Sequence, residues 1–467
     1  MSFYHRPRFD DSSFRATLNS FVQGSNLPLR DVLSEDLINR IAAEEQMSFE
    51  IDAVYSCAVV LWAFLTQVSS KDQTCRCAVG RIIAFLLAVG RTPCSSATGA
   101  YCKARKKLSE RFLRRLAMHV GQGVEQEAKP EWRWHQRRAL LVDGTTVTAP
   151  DTPANQKAYP QSPSQQPGLG FPIIRMVVVL TLATATLVGA AMGPYCGKET
   201  GETALFRTLL EDLQPGDVLV ADRFYCSYAM VALALAAGAD VVFRLHQLRH
   251  YDFRRGRRLG TGDHIVHWRK PPRPDWMDPE IYQLLPDTLA IREIRKFIAT
   301  PGCRARELVI ATTITDAEHY SKDDLLDLYH DRWHVELDIR AIKQSLQMDE
   351  LRCKSPAMLH KEIWAHLLVY NLARKVMAQA ALERGMSPRS ISFMGTLQML
   401  QEFRALLVHA DDAELVRLTA ALLDAIAAHR VGNRPDRCEP RAVKRRPKEY
   451  ARLTEPRVQA RARILNG

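Results

Sequence analysis

Three acidic side chains stand where metal-dependent chemistry on a phosphodiester could be done. Asp143 closes the apolar run of 139-ALLVDG-144, and Asp222 closes that of 219-LVADR-223. Each is therefore expected near the end of a buried strand, with its carboxylate pointing into a cleft over a sheet. Glu336 lies in 329-YHDRWHVELDIRAIK-343, which reads as a helix. On a helix a step of seven residues returns to nearly the same direction, which groups Tyr329, Glu336 and Lys343 on one side. Arg332 and Arg340, four residues before and after Glu336, join that edge. Three carboxylates can hold two divalent metal ions, one at the attacking and one at the leaving oxygen of a phosphodiester.

Plainer readings stand beside this one. A lone strand-end Asp commonly closes a turn, and Arg332–Glu336 and Glu336–Arg340 could be exposed salt bridges of i,i+4 spacing. Leu328, Val335, Ile339, Ile342 and Leu346 form the strip expected to be buried. Asp327, Asp331, His334, Asp338 and Ala341 are expected to point away from both the site and the core.

The elements that must position these residues change in texture along the chain. Residues 1–130 read as helical, with apolar spacing in 32–44, 49–67 and 78–90. In 91–121, serines 95 and 96 could cap a short helix ahead of a second, basic one. That pattern suits a helix-turn-helix-like DNA module or a solvated face of a bundle. From 131 to 246 the order is β-β-β-α-β-α-β, interrupted by the Pro-, Gln- and Ser-rich loop 151–172. Residues 247–315 break into short basic pieces that read as a β-rich insertion, closed by a strand at 307–315. A second core part carrying the Glu336 helix follows over 316–385, as one helix over 321–347 and another over 357–384. A helical C-terminal region covers 386–433 and a basic tail 434–467. The fold class expected is α/β, a mixed sheet with helices on its faces.

A net charge of +12 favours a polyanionic partner. Lysine and arginine concentrate in 103–115, 244–260 and 434–464. The ten cysteines include no CxxC pair, as expected of reduced thiols in the cytosol. No apolar run is long enough for a membrane span, and the first residues lack an apolar signal core, so a cytoplasmic protein is expected.

These residues together resemble the DDE transposases of the bacterial insertion-sequence-four (IS-four) family. Its signature Tyr-x2-Arg-x3-Glu-x6-Lys is met at Tyr329, Arg332, Glu336 and Lys343, with the aspartates in the contexts 141-LVDGTTV-147 and 219-LVADRFY-225. The resemblance runs from about 90 to 450. It implies a ribonuclease-H-like mixed sheet core with a β-rich insertion, flanked by helical N-terminal and C-terminal regions. It also implies that Asp143, Asp222 and Glu336 ligate two Mg²⁺ (or Mn²⁺) ions, and that Tyr329, Arg332 and Lys343 contact phosphates at the element's end. Arg340 is added to that set from its helical spacing. The implied partner is double-stranded DNA, both the element's terminal inverted repeats and the target, bound by a homodimer associated with the nucleoid. The reaction implied is cut-and-paste transposition, in which a freed 3′-hydroxyl is joined to target DNA.

One feature departs from the pattern. Some members cut the second strand through a DNA hairpin and hold a flipped base with a tryptophan at the last insertion strand. Here 305-ARELV-309 has no aromatic residue there, and Trp268 and Trp276 lie elsewhere in the insertion. Two other functions compete: an inactive transposase-derived DNA-binding protein, and a metal-dependent nuclease without strand transfer.

Overall fold

The structure is a computed structural model, and it describes residues 33–50, 53–70, 72–88, 90–298, 307–409, 412–432 and 453–466. The chain divides into two compact units, each assembled from three separated segments. One comprises residues 1–133, 183–188 and 337–431, and the other 134–182, 189–336 and 432–467. The six consecutive segments read from the sequence are thus regrouped, with the N-terminal helices sharing a unit with 337–431.

Among the described residues the sheet has nine strands: β1 (Ala139–Thr148), β2 (Ile173–Thr181), β3 (Leu187–Pro194), β4 (Val218–Ala221), β5 (Asp240–Arg244), β6 (Arg257–Gly260), β7 (Asp263–Arg269), β8 (Thr288–Phe297) and β9 (Glu307–Thr312). Their order is β3-β2-β1-β4-β5-β9-β8-β7-β6. β1 pairs antiparallel with β2 and parallel with β4, and β4 is parallel to β5. This is the expected ribonuclease-H-like mixed sheet. The central strands are apolar on both faces: Leu140, Leu141, Val142, Val218, Leu219, Val220, Val242 and Phe243 are all buried, as strands covered on two sides require.

The β-rich insertion is present and extends the same sheet. β9 pairs antiparallel with β5 on one side and β8 on the other, and β7 and β6 continue the meander. Its buried Arg292 and Trp268 have polar partners, as burial demands. Arg292 makes two hydrogen bonds to Asp263, at 2.9 and 2.7 Å. Trp268 is buried, donates to Glu293 at 3.1 Å, and carries the Arg249 guanidinium over its ring at 3.7 Å. Residues 305 and 306 of the aromatic-free stretch lie outside the described residues.

In the helical unit, the Glu110–Gln126 helix is capped by Ser109, which accepts the Phe112 N–H at 2.9 Å. The short helix before it, Gly99–Lys107, starts at Thr98 without a side-chain cap. Ser95 instead accepts from Ala97, so neither Ser95 nor Ser96 caps it. The Pro356–Arg384 helix runs through the core and stops at Gly385, whose φ of 62° suits glycine. Its Asn371 donates to the carbonyls of Ala117 (2.8 Å) and Leu187 (2.9 Å) and accepts from the Leu187 N–H (2.9 Å). Tyr370 donates to the Ala185 carbonyl at 2.7 Å. The buried turn between β2 and β3 thereby belongs to the helical unit, where the Ala185 carbonyl and the Leu187 backbone groups are satisfied.

Two expectations about the signature segment need correction. The segment is not one helix over 321–347. One helix spans Lys322–Asp331, Arg332 and Trp333 form a turn, a second helix spans His334–Arg340, and a π-helical turn covers Ala341–Ser345. Nor does Asp338 face solvent. It is buried and accepts from Arg374 at 2.7 Å and Arg389 at 3.0 Å. Ala341 is buried as well, because the break and the wide π turn rotate the later residues away from ideal spacing. Leu328, Val335, Ile339, Ile342 and Leu346 are buried as the pattern requires. All eight described cysteines are free thiols.

Candidate active site

Parallel pairing of β1 with β4 sets the first two acids side by side. Leu141 is in register with Val220, so two residues on in each strand Asp143 comes level with Asp222. Asp143 accepts the Gly144 N–H at 2.8 Å, and Asp222, just past β4, accepts the Phe224 N–H at 2.8 Å. These local bonds aim both carboxylates without using all their lone pairs.

Glu336 reaches the pair through Arg332. One terminal nitrogen of Arg332 donates to Glu336 at 3.0 Å, and the other lies 3.7 Å from an Asp143 oxygen. The i,i+4 salt bridge Arg332–Glu336 is therefore present, but it lies at the acidic centre and is partly buried. Among the described residues no three His, Cys, Asp or Glu side chains stand close enough to hold one ion as placed.

Burial pushes the Asp143 carboxyl up to about 6, against the pull of the Gly144 N–H and Arg332, and Asp222 and Glu202 add repulsion. Burial likewise raises the phenol of Tyr329, while Arg332 and Arg244 draw it down. Tyr329 is thus a buried neighbour of Arg332. Arg340 is exposed and Lys343 half-buried; both lie in the other unit.

The sequence reading missed Glu202. Its helix, Glu202–Arg207, follows β3, and its side chain lies across Gly144: a Cβ on that glycine would stand 2.2 Å from Glu202 Cδ. Burial raises this carboxyl, Arg175 lowers it and Asp222 raises it further. The one available signal was the glycine after Asp143, which leaves room for another chain segment.

Residues 134–372 match the family described as "Transposase DDE domain". The chain belongs to the DDE transposases. It is 27% identical over 426 residues to the transposase InsG for insertion sequence element IS4 of Escherichia coli (strain K12), covering 90% of this chain and 92% of that one. That likeness agrees with the IS-four resemblance of the signature residues. A putative transposase InsZ from the same organism is 24% identical over 134 residues, 28% of this chain and 43% of that one. A solved synaptic complex of piggyBac transposase with hairpin DNA aligns with a TM-score of 0.40 at 10% identity, covering 94% of this chain and 90% of that one. This DDE transposase is an enzyme acting on DNA. Among its described residues, no helix is long and apolar enough to cross a membrane.

Proposed function

We propose that this transposase binds the terminal inverted repeats of an insertion sequence, cleaves there, and joins the freed 3′-hydroxyl to target DNA. The supporting observation is that Asp143 and Glu336 flank the Arg332 guanidinium, while Asp222, just past the strand parallel to that of Asp143, acts electrostatically on Asp143.

The chemistry implies divalent cations, Mg²⁺ or Mn²⁺, and the donor set fits them in kind. All three acids offer oxygen ligands, which hard cations prefer. Asp143 is buried beside other carboxylates, so the centre carries negative charge that Arg332 partly offsets. Two bound ions would supply Lewis acidity at the attacking and leaving oxygens. Asp143, Asp222 and Glu336 hold and space the site. Arg332, released from the carboxylates, binds a phosphate oxygen near the scissile bond, a task suited to its planar fork. Tyr329, Arg340 and Lys343 contact the element's terminal phosphates and fix the register of the DNA without reading its sequence. Two copies of the chain hold the two ends together.

Glu336→Gln tests the centre: the expected result is loss of cleavage in Mg²⁺ with retained end binding, and wild-type cleavage would remove Glu336 from it. A strand-transfer assay with the repeats flanking the gene separates transposition from simple nuclease action. Cleavage without joining would favour the nuclease.

A further inference from the structure

Glu202 and Tyr225 converge on the acidic centre from outside the signature residues. Glu202 is half-buried at the start of its helix, with its side chain packed over Gly144, immediately after Asp143. One turn along the same helix, Phe206 meets the Tyr225 ring edge-on, with centroids 5.4 Å apart. Tyr225 lies three residues after Asp222 and is completely buried, yet its hydroxyl has no hydrogen-bond partner among the described residues. The groups acting electrostatically on that phenol, beyond its burial, are Glu202, Asp143 and Asp222. A buried hydroxyl without a partner is costly, at about 1–3 kcal/mol, so a group left this way commonly has a task in another state of the protein.

Resting on the metal-dependent function proposed above, we infer that Glu202 is a fourth carboxylate of the catalytic centre, helping Asp143 and Asp222 to retain a divalent cation, and that Tyr225 is the positioning residue whose hydroxyl, unpartnered here, donates to the Glu202 carboxylate once the cation is bound. Two features support this assignment over a packing role. A carboxylate laid against the Cα of Gly144 has no apolar surface to gain that an alanine or leucine there would not gain better. The phenol, held protonated by burial and by the surrounding acids, can only donate where those acids need a donor. Arg175 anchors the approach, donating to the Thr200 carbonyl at 2.8 Å two residues before Glu202.

The test is Mn²⁺ binding to the full chain without DNA, followed by electron paramagnetic resonance of the free ion and by calorimetry, which reads the site without turnover. Glu202→Gln should weaken Mn²⁺ binding by more than about tenfold with an unchanged melting temperature in chelator, and Tyr225→Phe by about tenfold, the low end for outer ligand-supporting groups. Gly144→Ala, which keeps the Glu202 carboxylate but pushes it aside, should weaken binding similarly. It also serves if Glu202→Gln does not fold. Wild-type Mn²⁺ affinity in Glu202→Gln and in Gly144→Ala would overturn the assignment while leaving the proposed function standing, provided Asp143→Asn loses the ion. If Asp143→Asn binds Mn²⁺ as the wild type does, or the wild type binds none, both fall.

Discussion

Arg332 holds Glu336 across a break in the helix. The donor nitrogen and acceptor oxygen are 3.0 Å apart, and the turn at 332–333 separates the helix that ends at Asp331 from the one that carries Glu336. The arginine is therefore not one rung of a continuous ladder. It is a cation in the turn, and its other terminal nitrogen faces Asp143.

Arg332→Lys keeps the charge but loses the fork that serves Glu336 and Asp143 at once. Cleavage should fall by at least tenfold while end binding falls much less, measured on a labelled repeat by gel assay and by binding titration. Unchanged cleavage would show that a point charge is sufficient at this position.

Lys343→Ala should weaken binding to the repeat at every salt concentration and flatten the log–log salt dependence by about one unit, the value of one phosphate contact. Titrations between low and moderate salt give the slope directly. A parallel line of unchanged slope would take Lys343 out of the DNA contacts.

Without metal, the fold should lose stability as the pH rises through the titration of Asp143. A carboxyl whose folded-state pKa is raised favours the fold while protonated, so its penalty is absent well below the unfolded value near 4 and complete above the folded value of about 6. Asp143→Asn removes a charge that burial, Asp222 and Glu202 oppose. In chelator, its melting temperature should exceed the wild type's by a few degrees at about pH 8 and by little at about pH 4.5. An equal difference at both pH values would show that the carboxyl does not titrate in this window.

Buried Asp338 pairs with Arg374, also buried, and with the partly exposed Arg389 within the helical unit. Removing one partner of a buried ion pair strands the others and costs about 3–5 kcal/mol. Asp338→Ala should therefore lower the melting temperature sharply in the absence of DNA and metal, as followed by circular dichroism. A variant as stable as the wild type would mean that these arginines find other partners.

Gly121→Ala should destabilise the same unit by about 1–3 kcal/mol, because a Cβ there would lie 2.5 Å from the Leu187 carbonyl oxygen, backbone that cannot swing aside. Denaturant unfolding would measure it.

What could be read from the chain was what local pattern encodes. Asp222 was legible because it follows an apolar strand; Asp143 was marked by the apolar run before it but lies mid-strand, since β1 runs on to Thr148, and parallel register then makes neighbours of them. The buried strip of the signature segment was legible from its spacing. The break at Arg332–Trp333 was not, since no glycine or proline marks it. Asp338 was misplaced for that reason: ideal helical angles carried past a turn accumulate error. Glu202 was invisible because its place beside Gly144 depends on how β1, β3 and the next helix pack, and no local spacing records that. The grouping of residues 183–188 with the helices depends in the same way on Asn371, far along the chain.

The two units each draw on three stretches of one polypeptide, so the chain passes between them repeatedly and neither unit is complete until synthesis reaches its last segment. A ribosome that has finished the strands bearing Asp143 and Asp222 has still to make Glu336, and the helical unit waits for residue 431. A gene copy interrupted anywhere before that codon therefore encodes no intact half. Such truncation would leave neither unit with all of its segments.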